Sequence, residues 1–293
     1  MQATVAVIAM GEMGGGIAKR LTSRGARVRT SLVGRGEASA RRAAEANVEI
    51  SVDDRTLLEG ADFMLSIVPP VTARALAGRL APALQAVAKK PIYVDCNAIS
   101  PQTVQEVAAI VAPSGCGFAD SGILGFAPSG EHDGPRIYVS GPAAKEVARL
   151  GQFGLDMRVL DGKIGSASAL KCSYAALGKG LTALASLLIL GAQRSGVDHA
   201  LFRELATYQP HLLAWFKRMV PDMYGKSYRW VGEMEEIGSY LDATPGGEAT
   251  YHGIARLFEY MAKVASDRGN AGNEIDVLDA FLAREVRGYG MMK

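Results

Sequence analysis

Short runs in which most residues are apolar punctuate the first half of the chain: TVAVIA at 4–9, RVRTSLV at 27–33, ADFMLSIV at 61–68, PIYVD at 91–95, GFAD at 117–120 and IYVS at 137–140. Runs this short, rich in β-branched residues and bounded by Gly or Pro, predict buried strands. Alanine-rich stretches at 38–46, 73–80 and 101–111 lie between them with helical spacing. Strands alternating with helices predict parallel βαβ units and a doubly wound, mostly parallel sheet. Further on the pattern changes. Long helical periodicities fill 168–195, 199–216, 230–241, 249–266 and 275–287, with Gly or Pro in the gaps. The expected architecture is an α/β domain over residues 1–162 followed by an all-α domain over 163–293.

Composition narrows the classes. A chain of 293 residues with 48% hydrophobic and 21% charged residues suits two soluble domains or one large one. Its 32 basic residues are balanced by 30 acidic ones, and no basic stripe with interleaved aromatics stands out, so no nucleic-acid partner is expected. Cys96, Cys116 and Cys172 are far apart, with no CxxC and no ligand-like spacing to the four histidines. That favours reduced thiols in a cytoplasmic protein and no metal site. The N-terminal apolar run lacks a basic flank and is interrupted by Gly11, as a strand would be and a signal peptide would not. The most membrane-like run, 180–192, falls short of the roughly 20 residues needed to span, so a core helix and no membrane are expected.

The first predicted strand runs into AMGEMGGG at 9–16. Gly11 and Gly14 take the second and third glycine places of the G-x-G-x-x-G dinucleotide turn, with Ala9 in the first. Gly11, Glu12, Met13 and Gly14 are therefore expected to hold a cofactor pyrophosphate at a helix N-terminus, in a Rossmann domain. The second strand ends in SLVGR at 31–35, with no acid until Glu37. Ser31 and Arg35 suit a ribose 2′-phosphate, with Arg41 and Arg42 adding positive potential. NADP is the favoured cofactor and NAD the alternative. Lys171 raises a separate question. It sits in GSASALKCSYAALGKG (165–180), a stretch otherwise made for burial, where a lysine head is costly unless paired or snorkelling to water.

With these segments in place the chain resembles the β-hydroxyacid dehydrogenase superfamily, which includes 3-hydroxyisobutyrate dehydrogenase, tartronate semialdehyde reductase and 6-phosphogluconate dehydrogenase. The resemblance rests on GEMGGGIA (11–18), LSIVPP (65–70), VDCNAISP (94–101), DSGILG (120–125) and GKIGSASALK (162–171). It implies that Val68, Pro69 and Asn97 line the cofactor. It also implies that Ser121, Gly122 and Leu124 contact a small-molecule substrate, with Tyr174 one turn beyond Lys171. Lys171 would be the catalytic acid/base at the start of a long interdomain helix, giving a proton to the forming alkoxide in reduction and taking one in oxidation. A homodimer through the helical domain is implied as well.

Departures from the family bear on the substrate. Ala175 stands where the family has asparagine, and Leu124 where it has the serine that grips a carboxylate. The family's later lysine–aspartate pair is replaced near 231–237 by Glu233, Glu235 and Glu236. SLVGR and RWVGEMEEI (229–237) resemble instead a less characterised branch with a C-terminal helical domain of unknown function. The expected activity is NADP(H)-linked oxidation or reduction of a small hydroxy or oxo compound other than a standard β-hydroxyacid. Leu124 and Phe126 point to a larger or more apolar substrate. Glu235 or Glu236 would either meet a cationic group on it or form an exposed acidic face. Imine reduction, kept open by Tyr174, and a non-catalytic nucleotide-sensing module are the alternatives. The histidines at 132, 199, 211 and 252 are scattered, and only His252, beside Tyr251, is a candidate to approach the site.

Overall fold

The apolar runs of the first half become the strands of one sheet in the computed structural model, which describes residues 3–128, 134–267 and 273–285. Strands β1 (Thr4–Ile8), β2 (Arg27–Thr30), β3 (Glu49–Ile50), β4 (Phe63–Ser66), β5 (Ile92–Asp95), β6 (Phe118–Leu124), β7 (Arg136–Ser140) and β8 (Asp156–Val159) lie in the order β3-β2-β1-β4-β5-β6-β7-β8. Every neighbouring pair is parallel except β6 and β7. The edge strands β3 and β8 were not expected. Both are short and mostly exposed, so neither carries the apolar run that marks a buried strand. Strand β6 runs to Leu124, beyond the expected residue 120, because its second half pairs with β7 from Ser121↔Val139 to Leu124↔Arg136.

Helices α1 (Glu12–Ser23), α2 (Glu37–Glu45), α3 (Asp54–Leu58), α4 (Ala73–Ala86), α5 (Pro101–Val111) and α6 (Ala144–Val147) connect the strands. Strand alternation splits the sheet's apolar residues between two cores. Val5 and Val7 of β1 face Ile17 and Leu21 of α1, while Ala6 and Ile8 face Leu76 and Leu80 of α4 and Val104 of α5. The strand order reverses between β1 and β4, and in open parallel sheets ligands bind at the carboxyl ends of strands at such a switch point.

Helix α7 (Ser166–Arg194) follows, and the chain's two compact units, Met1–Ser173 and Tyr174–Lys293, divide inside it. By length and composition α7 is also apolar enough to cross a membrane, with 44% of its most apolar window buried. The second unit adds α8 (Asp198–Tyr208), α9 (Pro210–Tyr224), α10 (Ser227–Tyr240), α11 (Gly247–Ser266) and α12 (Glu274–Leu282). One helix was expected over 199–216. It breaks at Gln209 (φ −134°, ψ 46°) because Pro210 has no N–H to donate and excludes the helical conformation from the residue before it. Trp230 of α10 meets Phe258 of α11 edge-on with ring centroids 5.2 Å apart, and the Asn273 side chain caps α12 by accepting from Ile275 N and Asp276 N.

Candidate active site

The turn from β1 into α1 has the shape the glycines require. At Gly14 a Cβ would stand 1.9 Å from the carbonyl oxygen of Ala9, so only glycine lets α1 start this close to the strand. At Gly11 a Cβ would meet nothing within 4 Å, which leaves open space for a ligand to approach the backbone. Gly11 is the N-cap of α1 and supplies no side-chain cap, so the first amides of α1 at Glu12, Met13 and Gly14 remain available to an anion. These residues fit a dinucleotide pyrophosphate. Beyond β2, Arg35 is exposed after Gly34, which turns at φ +71°, and the N-cap of α2, Gly36, likewise offers no side-chain cap. Arg42 lies on the α1 side of the same helix. Its aliphatic carbons lie over Gly15 of α1, and its guanidinium donates to Ala38 O at 3.4 Å. Ser31 is buried, and its Oγ accepts from Val33 N at 3.4 Å, bracing the same turn.

At the ends of β4 and β5 the expected cofactor contacts divide. Val68 is buried and Pro69 is exposed. Asn97 is 2% exposed and already engaged. Its Oδ1 accepts from Val68 N at 2.7 Å, and its Nδ2 donates to Ser66 Oγ and Asp95 Oδ2, both at 2.9 Å. With both amide hydrogens spent, the Asn97 side chain clamps the two strand ends and is not presented to a cofactor. This corrects the expectation that it lines the cofactor directly.

Strand β6 and the first turns of α7 share a network of buried hydrogen bonds. Asp120 is fully buried. Its Oδ2 accepts from Gly165 N at 2.9 Å, Ser168 N at 3.0 Å and Ser140 Oγ at 3.1 Å, and its Oδ1 accepts from Ser168 Oγ at 2.6 Å. Ser140 Oγ in turn accepts from Ala167 N at 3.0 Å. Asp120 and Ser140 thus share amides at the start of α7 that would otherwise be orphaned, and the carboxylate's charge suits a helix N-terminus. Two residues along β6, a Cβ on Gly122 would lie 2.6 Å from Ala167 O and 3.2 Å from Lys171 Cβ. Glycine there lets α7 rest against the strand. Lys171 is half-buried, and its Nζ donates to Ile123 O at 2.8 Å, so the ammonium is parked on a neutral carbonyl at the end of β6.

Because β6 is a strand through Leu124, its side chains alternate. Asp120, Gly122 and Leu124 share one face and Ser121 and Ile123 the other. Ser121 is therefore not beside Lys171. It borders a small void with Ile17, Leu65, Val94 and Cys96, and its Oγ is buried with no hydrogen-bond partner among the described residues. The expectation that its side chain binds substrate is corrected by that alternation. The neighbouring Cys96 thiol is pushed well above its usual range by burial and by the charge of Asp95, which makes it a poor nucleophile. Leu124 is buried at the strand end, and Phe126 beyond it is exposed.

In the helical unit, Tyr174 is 56% exposed on α7. Of the three acids on α10, Glu235 is exposed and Glu236 half-buried, whereas Glu233 pairs with Lys179 of α7. The exposure of Glu235 fits the acidic-face alternative, and the pairing of Glu233 was not foreseen. A helical-wheel count from Trp230 would have helped, since Glu233 lies one turn on along the same face. His252 packs on Gly238 of α10, where an added Cβ would be 3.1 Å from its ring, and so serves helix packing. His132 lies outside the described residues.

Two sequence families match the chain. A domain of unknown function, DUF1932, covers residues 192–261, and the NAD binding domain of 6-phosphogluconate dehydrogenase covers residues 4–152. The second match takes in half of the chain. The protein belongs to the 6-phosphogluconate dehydrogenase NAD-binding family. By family its sheet unit is an NAD-binding domain. An uncharacterised 28.5 kDa protein of Methanothermus fervidus is 29% identical over 157 residues, 54% of this chain and 58% of that one, so the match spans little more than half of the relative. Among solved structures, the conserved protein MTH1747, described as similar to 3-hydroxyacid dehydrogenases, is 29% identical with a TM-score of 0.66, over 92% of this chain and all of that one. The 3-hydroxyisobutyrate dehydrogenase of Mycobacterium tuberculosis shares the fold at 16% identity and a TM-score of 0.69, over 96% and 99% of the two chains. An imine reductase of Myxococcus stipitatus in complex with NADP+ shares it at 16% identity and a TM-score of 0.52, over 96% and 100%.

Proposed function

We propose that this family member oxidises or reduces the CH–OH/C=O group of a small hydroxy or oxo compound with NADP(H), using Lys171 as general acid and base. The observation that carries the reading is the placement of Lys171, held on β6 by the glycine at 122 and by the Asp120 cap on its own helix. When bound, the nicotinamide supplies or accepts the hydride. The α1 amides hold the pyrophosphate, and Arg35 with the uncapped start of α2 holds a 2′-phosphate. In reduction Lys171 gives a proton from Nζ to the oxygen that becomes the hydroxyl, and in oxidation the neutral amine takes it back. Ile123 O keeps the ammonium oriented between turnovers. A retained lysine weighs against imine reduction as the main activity, and Leu124 in place of a hydroxyl weighs against a simple carboxylate substrate.

A homodimer in the cytoplasm completes the proposal. Tyr174, Leu177, Leu184 and Leu188 are exposed on α7 at seven-residue spacings, 177 to 184 and 174 to 181 to 188, and no charged residue interrupts the helix between 180 and 193. Such a seam pairs with its own copy. Light scattering on Leu184→Glu/Leu188→Glu should then report a monomer where the wild type is a dimer.

The central test is fluorescence titration of NADPH and NADH into wild type and Arg35→Ala, followed by a carbonyl screen with the better nucleotide. Tight NADPH binding that weakens about tenfold in the variant, with NADH unchanged, supports the cofactor assignment. Binding of neither nucleotide would overturn the dehydrogenase reading, and NADPH binding without any turnover would favour a sensing module.

A further inference from the structure

The three consecutive glycines of α1 each admit a different neighbour. Gly14 admits the Ala9 carbonyl. At Gly15 an added Cβ would stand 3.2 Å from Arg42 Cδ, part of a long side chain that can move away. At Gly16 it would stand 3.0 Å from Pro128 Cδ, 3.1 Å from Pro128 O and 3.3 Å from Ala127 Cβ. The connection that leaves β6 therefore rests on the first turns of α1. Its described ends also brace each other. Pro135 Cα lies 3.3 Å from where a Cβ on Gly125 would be, and Pro128 Cγ 3.0 Å from where one on Gly134 would be. Little burial accompanies the contact: Phe126 is 57% exposed, and Ala127 and Pro128 are only half-buried. Beside it a groove of about 360 Å³ opens between α1, α2 and residues 126–128, so the seat on Gly16 holds the connection on that side rather than dense packing.

The contact joins two parts of the sheet that are not neighbours. Strands β1 and β6 stand three places apart, with β4 and β5 between them, a gap of about 14 Å at the usual strand spacing. On the β1 side, Gly16 comes two residues after Gly14, the last of the amides offered to a pyrophosphate. On the β6 side, Pro128 comes five residues after Ile123, whose carbonyl holds the Lys171 ammonium. A nicotinamide cofactor held at the α1 turn and reacting beside Lys171 has to span the same gap. We propose that the seat of Ala127 and Pro128 on Gly16 is a positioning element for the reaction, fixing the separation between the amides that hold the cofactor and the lysine that moves the proton. The inference rests on the function proposed above. Gly16 and Pro128 act through α1 and β6, not on the reacting atoms. A misplacement of about 1 Å between such groups costs about a hundredfold in rate, which gives a direct tie across the strand ends its value.

The experiment compares wild type with Gly16→Ala, Gly15→Ala and Pro128→Gly. Three quantities are read: NADPH affinity by fluorescence, trace acylation of Lys171 by acetic anhydride followed by mass spectrometry, and turnover of the carbonyl compound that the screen above finds fastest. In wild type, NADPH at about ten times its Kd leaves about a tenth of the protein free and should slow Lys171 acylation about tenfold. Gly16→Ala leaves the amides at 12–14 untouched, so NADPH should bind within about threefold of wild type. It should nevertheless protect Lys171 less than about threefold, and kcat should fall about tenfold or more with the KM for NADPH little changed. The displaced connection has the groove to settle into, so the fold should survive. Gly15→Ala meets only the movable Arg42 side chain and should leave all three readings within about twofold. Pro128→Gly loosens the same seat without adding a clash and should shift the readings in the direction of Gly16→Ala. In the double variant the two losses should be less than multiplicative. A Gly16→Ala protein that matches Gly15→Ala in both Lys171 protection and kcat overturns the positioning element. So does a loss of NADPH affinity as large as the loss of kcat, which would make Gly16 part of the phosphate site. Wild type that binds no NADPH, or binds it without protecting Lys171, overturns the function proposed above and the positioning element with it.

Discussion

Around Lys171 and around Lys179, the same helix meets two different kinds of support. Lys171 donates to a backbone carbonyl, and the start of its helix is fixed by a buried carboxylate that accepts only from backbone amides and hydroxyls. Lys179 is held by an acid side chain and an indole face. The helical unit repeats that style elsewhere: Arg284 pairs with Asp198, Lys226 with Asp222, and the Tyr224 hydroxyl donates to Asp279 at 2.9 Å. The sheet unit has ion pairs too, such as Arg27 with Glu49 and Lys89 with Asp62, but they lie nearer the surface. Its interior works through close backbone approach and hydrogen-bonded buried groups such as Asn97 and Asp120. Supports built from backbone tolerate almost no side-chain change, whereas supports built from charge pairs can be retuned by one substitution. A reacting group needs the first kind.

The most severe way to test that contrast is Lys171→Ala. It should lower kcat by about 10²–10⁴-fold while NADPH affinity stays unchanged, as single-turnover and titration measurements would read it. A loss under about tenfold would remove the catalytic meaning of the Lys171 support. Next, Gly122→Ala forces a methyl group into Ala167 O and should cost about 1–3 kcal/mol in urea melts, with kcat falling as α7 shifts. Gly78→Ala is the control. It lies exposed in the middle of α4 with nothing within 4 Å of its absent side chain, and the same substitution there should stabilise by about 0.5–1 kcal/mol. Asp120→Ala strands the amides of Gly165 and Ser168 and should cost about 1–3 kcal/mol, visible as a lower Tm with nucleotide binding retained.

The smallest expected effect comes from pH. The Arg284 guanidinium holds the Asp198 carboxyl below its usual range. Between that depressed value and the ordinary carboxylate value of about 4, the unfolded chain binds a proton that the folded chain does not, so stability rises with pH through the window. The contribution is complete above the ordinary value and is lost as pH falls through the folded one. Thermal melts between about pH 3 and pH 6 should show an acid-side decline that is shallower in Asp198→Asn. Equal slopes in the two proteins would mean that the helical unit does not depend on its charge pairs.

Much of this molecule was legible one residue at a time. The alternation of apolar runs and helical stretches announced the doubly wound sheet. AMGEMGGG announced the nucleotide turn, because a helix can start that close to a strand only where Cβ is absent. Lys171 drew notice as a charge in an apolar helix. These features are local, set by backbone sterics and by side-chain periodicity within a single element. Partnership decided the rest. Strands β3 and β8 exist because a neighbour offers a hydrogen-bonding edge, not because their residues demand it. Ser121 turned out to face the core rather than Lys171 once pairing with β7 extended β6 through Leu124, since a strand presents alternate residues to opposite faces. Asn97 was spent on Ser66, Asp95 and Val68, groups brought to it by the sheet register. On α10 it is Glu233 that meets Lys179 of α7, a pairing set by how the two helices pack. Sequence determined which residue types stand in which element. Which of them remain available for chemistry was decided by contacts between residues far apart in the chain, since a buried polar group takes whatever partner the fold places beside it.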